Sequence, residues 1–336
     1  MKKISAFFTF TLLVLLLIFS GCNTAYQIAE FTAMDTYVAL QVEKNDNGEI
    51  LRKAQDLIKN IENKFSVTLP SSEISVLNIN GEITASEETL EIINLSKLYS
   101  EKTGGAIDIT VYPIVKAWGF TTGTHKILSQ DDLNSLLPNV GYEKINIIND
   151  KIVIPEGTQI DLGAIAKGYA TDKLIDLFHN YGITSATISL GGNVYALGKK
   201  NGKNWKVAIS SPFDSGEIYC AIEVSDKAVI TSGQYQRFFI EDDKSYGHII
   251  DPETGFPVDN EFASVTVIGE NATECDALST ALFVMGKEKA IDYYERERSF
   301  DFVFILKDGS VVISQGINDS FELSKVYCES TITVIR

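Results

Sequence analysis

Four stretches of the 336-residue chain gather Gly, Asp and Thr where an element is expected to end and where backbone can approach a ligand. In IDLGAIAKGYATD, residues 160–172, Asp161 and Gly163 precede an expected helix and Lys167 falls on its first turn. A helix N-terminus beside a lysine is a ready anion site, although the same pattern arises where an Asp caps the helix and the Lys is merely solvated. In TECDALSTALFVMG, residues 273–286, Asp276 and Thr280 stand at i and i+4. On a helix their oxygens share one face about a turn apart, a spacing suited to a hard cation. HIIDPETGFP, residues 248–257, opens on His248, one of only three histidines. That histidine is a candidate site residue, and the competing reading is a turn with an incidental histidine. The fourth stretch is GGAIDITVYPIVKAWGF, residues 104–120.

The elements that must position these residues follow from periodicity. Residues 37–42 alternate as a strand, and Leu51, Ala54, Leu57, Ile58, Ile61 and Phe65 recur at helical spacing over 50–65. Further helices are expected over 87–103, 131–137, 164–180, 274–285 and 287–295. Residues 108–120 suggest a strand giving way to a helical turn after Pro113. Strands are expected over 185–190, 205–210, 218–224, 228–232, 238–241, 264–268, 302–306 and 311–314. Without a regular βαβ rhythm or an internal linker, this mixture predicts one α+β domain with mixed sheets and flanking helices, not a doubly wound sheet. At 45% hydrophobic and 22% charged residues the chain has a globular composition. Its 29 basic residues against 45 acidic ones give a net charge of -16, which repels phosphate backbones and argues against a nucleic-acid partner. Four scattered cysteines with no CxxC pair build neither a disulfide scaffold nor a zinc site.

The N-terminal segment has a separate logic. Lys2 and Lys3 precede an apolar run from Ile4 to Phe19, then Ser20, Gly21 and Cys22. Basic, apolar, small is the order of a secretory signal. The run spans about 24 Å as a helix, short of the ~30 Å hydrocarbon core, so cleavage is expected over a permanent membrane span. The tripeptide before Cys22 resembles a bacterial lipobox, with Phe19 departing from the usual Leu; plain secretion with Cys22 a bystander is the alternative. The expected division is a signal peptide over 1–21, a lipidated Cys22 with a tether over 22–30, and the functional body over 31–336. This places the protein on the extracytoplasmic face of a bacterial cell membrane, held by a lipid anchor.

In their order along the chain, and together with MDTYVAL from Met34, SSEISVLN from Ser71, SLGGNVYALG from Ser189 and ITSGQY from Ile230, the four stretches resemble the ApbE family, the FAD:protein FMN transferases. The resemblance implies a tunnelling-fold-like α+β body holding FAD between its halves, with Mg2+ at the pyrophosphate. It implies flavin-nucleotide contacts at Met34, Ala106, Ile107, Asp108, Asp161, Lys167 and Ile250. The implied metal shell is Asp276, Thr280 and Ala164, the last through its backbone carbonyl alone. A Thr or Ser hydroxyl of an extracytoplasmic acceptor protein would attack the FMN-side phosphorus of FAD and release AMP. Lys167 and Mg2+ would neutralise charge, Asp276 would hold the metal, and His248 would be the base. An FAD pyrophosphatase and a non-catalytic FAD-binding lipoprotein are the competing functions. Asp276, as a metal ligand rather than a core residue, is expected to be dispensable for the fold.

Overall fold

The computed structural model describes residues 25–44 and 48–336, so the signal segment and Cys22 lie outside the described residues. A nine-stranded sheet runs through the body: β1 (Tyr26–Ala33), β2 (Thr36–Glu43), β3 (Ala186–Leu190), β4 (Asn193–Leu197), β5 (Lys227–Ser232), β6 (Phe262–Gly269), β7 (Asp301–Leu306), β8 (Val311–Ser314) and β9 (Ile332–Ile335). These strands lie across the sheet in chain order. Every neighbouring pair is antiparallel except β8 and β9, which are parallel at one edge.

Helices α1 (Glu49–Phe65), α2 (Glu73–Asn80), α3 (Glu87–Lys102), α4 (Tyr112–Trp118), α5 (Gln130–Leu136) and α6 (Ala166–Asn180) are inserted between β2 and β3, and α7 (Ala272–Met285) and α8 (Lys287–Glu297) between β6 and β7. Alternation decides which face each strand residue serves. Val265 and Val267 of β6 and Phe302 and Phe304 of β7 join the core beneath the helices. Ile268, Val303 and Ile305 face the other way, into a second core with Trp205, Val207, Ile209, Tyr219 and Ile222. That second core is closed by a small sheet of Trp205–Ser210, Ile218–Val224 and Phe321–Leu323. Covered on both faces, the central strands read as nearly unbroken apolar runs.

A third cluster joins two of the polar stretches. Trp118 is fully buried with Ile114, Leu128, Leu133 and Ile250, and its indole Nε1–H donates to the Gly255 carbonyl at 2.9 Å. Its ring stacks on Tyr246 at 5.7 Å, in the hairpin formed by Phe238–Glu241 and Lys244–Gly247. Residues 104–120 are thereby docked onto the turn of residues 248–257.

Several expectations are corrected. Residues 26–30, read as tether, form the first half of β1 and pair with β2, Tyr26 opposite Glu43. β1 is an edge strand whose Ile28 is 63% exposed, so its pattern lacks the one-sided apolar signal of a buried strand. Residues 108–120 hold no strand. Asp108 Oδ1 accepts the Thr110 N–H at 2.8 Å and turns the chain into a 3-10 turn, Ile109–Val111, that leads into α4. Helix α2 was not foreseen, although Ser72 caps it by accepting the Ser75 N–H at 3.0 Å. The sixth helix begins at Ala166 rather than Ala164.

Candidate active site

The first turn of α6 has no side-chain cap of its own, its N-cap residue being Ile165. The carboxylate of Asp276, from α7, fills that role. Its Oδ2 accepts the Gly168 N–H at 2.9 Å, its Oδ1 accepts from Asn193 Nδ2 of β4 at 2.9 Å, and Lys167 Nζ stands 3.7 Å from Oδ1. Asp276 is only 3% exposed. The helix start that the sequence offered as an open anion site therefore already holds an anion supplied by the protein. Asp161 is not the cap: its Oδ1 accepts the Gly163 N–H at 2.6 Å within the preceding loop. This arrangement depends on the absence of a side chain at Gly168, where a Cβ would lie 2.3 Å from the Ala272 carbonyl oxygen and 2.7 Å from Asp276 Cβ.

The expected dispensability of Asp276 for the fold does not fit this geometry. Its removal leaves two buried donors, the Gly168 N–H and the Asn193 amide, without their acceptor, and such groups cost about 1–3 kcal/mol each.

Thr280 is one of the few partly exposed positions on a helix otherwise buried from Ala272 to Phe283. Its Oγ1 lies 3.1 Å from Ser232 Oγ, which is 2.8 Å from Ser279 Oγ; the Ser279 hydroxyl in turn donates to the Asp276 carbonyl at 2.9 Å. Lys167 Nζ donates to the Gly163 carbonyl at 3.0 Å, drawing the Gly163–Ala164 loop toward Asp276. The donor set in this corner is oxygen throughout, and each Asp276 oxygen retains a lone pair beyond its one hydrogen bond. Oxygen donors with one anionic ligand suit Mg2+, which commonly takes one or two carboxylates and completes its shell with water and substrate phosphate. Among the described residues no group of three or more His, Cys, Asp or Glu could hold a metal ion. Asp276 and Thr280 supply oxygens of the kind that an ion shared with a substrate phosphate takes.

His248 lies within electrostatic reach of Lys167 and Arg237. Its ring keeps part of its surface open, yet it is crowded enough that burial, with those two positive charges, pushes its pKa down to about 4, against a raising contribution from its hydrogen bond to Arg237. The Nδ1 atom lies 3.2 Å from the Arg237 carbonyl, which also accepts the His248 backbone N–H at 3.0 Å. Burial raises the Asp161 carboxyl above the ordinary aspartate range, opposed by the Gly163 N–H and by the charges of Lys167 and Arg237. Arg237 also pairs with Asp35, in the turn between β1 and β2. In that turn Met34 (φ 52°) and Asp35 (φ 55°) both take left-handed backbone. A Met there is strained by roughly 1–3 kcal/mol, and it is held in place by its N–H bond to Glu62 Oε1 at 2.8 Å.

The other expected nucleotide contacts are placed less simply. Ala106 and Ile107 pack against the main core, and Ile250 is buried in the Trp118 cluster. The Asp108 carboxylate is consumed within the protein by Thr110 Oγ1 at 2.6 Å, the Thr110 N–H and the Tyr142 N–H at 2.8 Å. Burial raises its pKa while those bonds oppose the rise. Sequence reasoning missed the roles of Asn193, Ser232, Arg237 and Asp172. Asn193 and Ser232 sit inside quoted motifs, but nothing local shows that their partners are residues 276 and 280.

The chain is similar to known proteins over most of its length. The model of the ApbE family matches residues 34–304. An FAD:protein FMN transferase of Treponema pallidum (strain Nichols) is 31% identical over 290 residues, covering 80% of each chain. The FAD:protein FMN transferase of Escherichia coli (strain K12) is 30% identical over 312 residues, covering 85% of this chain and 89% of its own. The crystal structure of the ApbE protein of Thermotoga maritima MSB8 superposes with a TM-score of 0.81 at 32% identity, over 87% of this chain and 98% of that one. The flavin transferase ApbE of Vibrio cholerae superposes with a TM-score of 0.76 at 27% identity, over 90% and 98%. With its motifs in order, its single mixed α/β domain and this breadth of match, the chain belongs to the ApbE family.

Proposed function

We propose that this protein transfers FMN from FAD to a Thr or Ser hydroxyl of an acceptor protein and releases AMP. The observation that carries the reading is the ion pair between Lys167, in the first turn of α6, and Asp276 of α7, 3.7 Å apart, with the Lys167 charge within electrostatic reach of His248. His248 takes the proton of the acceptor hydroxyl. The hydroxyl oxygen bonds to the FMN-side phosphorus, and the bond from that phosphorus to the bridging oxygen breaks, leaving AMP. Lys167 carries positive charge toward the bridging oxygen as that bond weakens, which is where charge grows. Mg2+ held by Asp276, Thr280 and the Ala164 carbonyl would neutralise the pyrophosphate oxygens when bound. Asp161 and the strained Met34 turn shape the nucleotide side of the site. We propose further that Cys22 carries a lipid anchor and that the body works on the extracytoplasmic face of the membrane, on an acceptor also exposed there. The motive is the order of basic, apolar and small residues before Cys22.

The test incubates the mature protein with FAD, Mg2+ and an acceptor bearing the target Thr, then weighs the acceptor. The expected gain equals FMN minus water and vanishes when that Thr becomes Ala. AMP released with no gain in acceptor mass makes the protein a hydrolase, and FAD binding with no AMP makes it a carrier.

A further inference from the structure

Asp276 caps α6, and α6 returns the contact. Asp172 stands one turn beyond Gly168, and its Oδ1 accepts the Ala272 N–H while its Oδ2 accepts the Thr273 N–H, both at 2.8 Å, with the Thr273 hydroxyl as a further donor. Asn271 covers the next amide, accepting from the Glu274 N–H at 2.7 Å. Positions 168 and 172 of α6 thus face positions 276 and 272 of α7, an exchange in which each helix inserts a carboxylate into the other's first turn. Burial raises the Asp172 carboxyl, while the bonds from Thr273 and Ala272 oppose the rise.

Building on the reading above, we propose that Asp172 is a positioning residue for the Asp276–Thr280 metal shell, acting through the first turn of α7. Three features support an action beyond capping. Gly168 brings α6 close enough that a single methyl would collide with Ala272, so the first turn of α7 has no slack on that side. Asp276 lies one turn after Ala272, so a shift of that turn moves the carboxylate. The Gly168 N–H, bound to Asp276 Oδ2, reports whether the carboxylate is in place. An outer partner that orients a metal ligand in this way is worth ~10–100-fold in metal affinity.

The experiment uses the mature protein, Asp172→Asn and Asp172→Ala, with Mn2+ as a spectroscopic probe of the site and hydrogen exchange at the Gly168 amide as a second readout. Asp172→Asn retains size and one acceptor oxygen, which guards against simple misfolding. In that variant Mn2+ affinity should fall ~10–100-fold and the Gly168 amide should exchange faster, with FAD binding in the absence of metal little changed. A lowered melting temperature with Mn2+ affinity and Gly168 protection both at wild-type levels overturns the proposal and leaves Asp172 a helix cap. If the wild-type protein itself binds no Mn2+, the metal shell and the positioning assigned to it both fall. Failure of FMN transfer alone touches neither readout.

Discussion

A carbonyl oxygen only accepts, so the 3.2 Å contact between His248 Nδ1 and the Arg237 carbonyl places the ring proton on Nδ1 and leaves the Nε2 lone pair for an acceptor hydroxyl. The low pKa, about 4, keeps the ring neutral across the physiological range. As pH falls through that value the free protein gains a proton on His248 and loses its base, so kcat/KM should drop on the acid side near pH 4. Bound pyrophosphate is negative and favours the charged ring, so the acid limb of kcat should lie at higher pH than that of kcat/KM. Both limbs should vanish in His248→Ala, with the rate ~10²–10⁴-fold lower; a limb that persists in this variant assigns it to another group, the raised Asp161 carboxyl being the first candidate. Lys167→Ala should reduce kcat more than it weakens FAD binding, because only stabilisation specific to the transition state speeds the step. An equal effect on both, measured by turnover and by FAD titration, would reduce Lys167 to a binding residue. Asp276→Ala differs from either, since it should remove metal dependence and also lower the melting temperature through the two orphaned donors.

The pairing of α6 with α7 makes a residue without a side chain as consequential as any with one. Gly168→Ala introduces a methyl 2.3 Å from the Ala272 carbonyl oxygen, a contact relieved only by separating the helices. Overpacking of this kind costs about 1–3 kcal/mol, and here the separation also draws Asp276 off the Gly168 N–H. The expected result is a lowered melting temperature together with loss of turnover that added Mg2+ does not restore. Full turnover at saturating Mg2+ would show that the helices part without disturbing the carboxylate. The same pair marks where sequence reading succeeds and stops. The i, i+4 relation of Asp276 and Thr280 was legible because it is local, and the helix and strand periods gave most elements to within two residues. Asp172 and Asn193 were not legible as partners of α7, because they meet it across separations of 100 and 83 residues. β1 and the turn at Asp108 failed for opposite reasons: an edge strand hides its alternation, and a buried aspartate can turn a segment that alternates like a strand.

On the scale of the molecule, the order of the sheet fixes how an anchor at Cys22 would relate to the site. The chain enters at β1, the edge strand, whose pairing begins at Tyr26. Only Asn23, Thr24 and Ala25 intervene, so the Cα atoms of Cys22 and Tyr26 can be at most about 14 Å apart. The strained Met34 turn lies at the far end of β1, separated from Tyr26 by about 24 Å of extended chain. A lipid anchor at Cys22 would therefore hold the body close to the membrane, with the Met34 turn a strand's length beyond Tyr26. Cleavage before Cys22 would remove Lys2 and Lys3 and leave 27 basic against 45 acidic residues, a charge of -18 that would repel anionic headgroups. Attachment would then rest on the acyl chains, at about 0.8 kcal/mol per buried CH2, and not on charge. Wild-type protein should stay with membranes in about 1 M salt, where the Debye length is ~3 Å, and Cys22→Ala should move to the soluble fraction. The released variant should still flavinylate a soluble acceptor at the wild-type rate, since the substitution changes none of the residues assigned to the site. Identical partitioning of the two proteins, or release of the wild type by salt alone, would remove the anchor from this account.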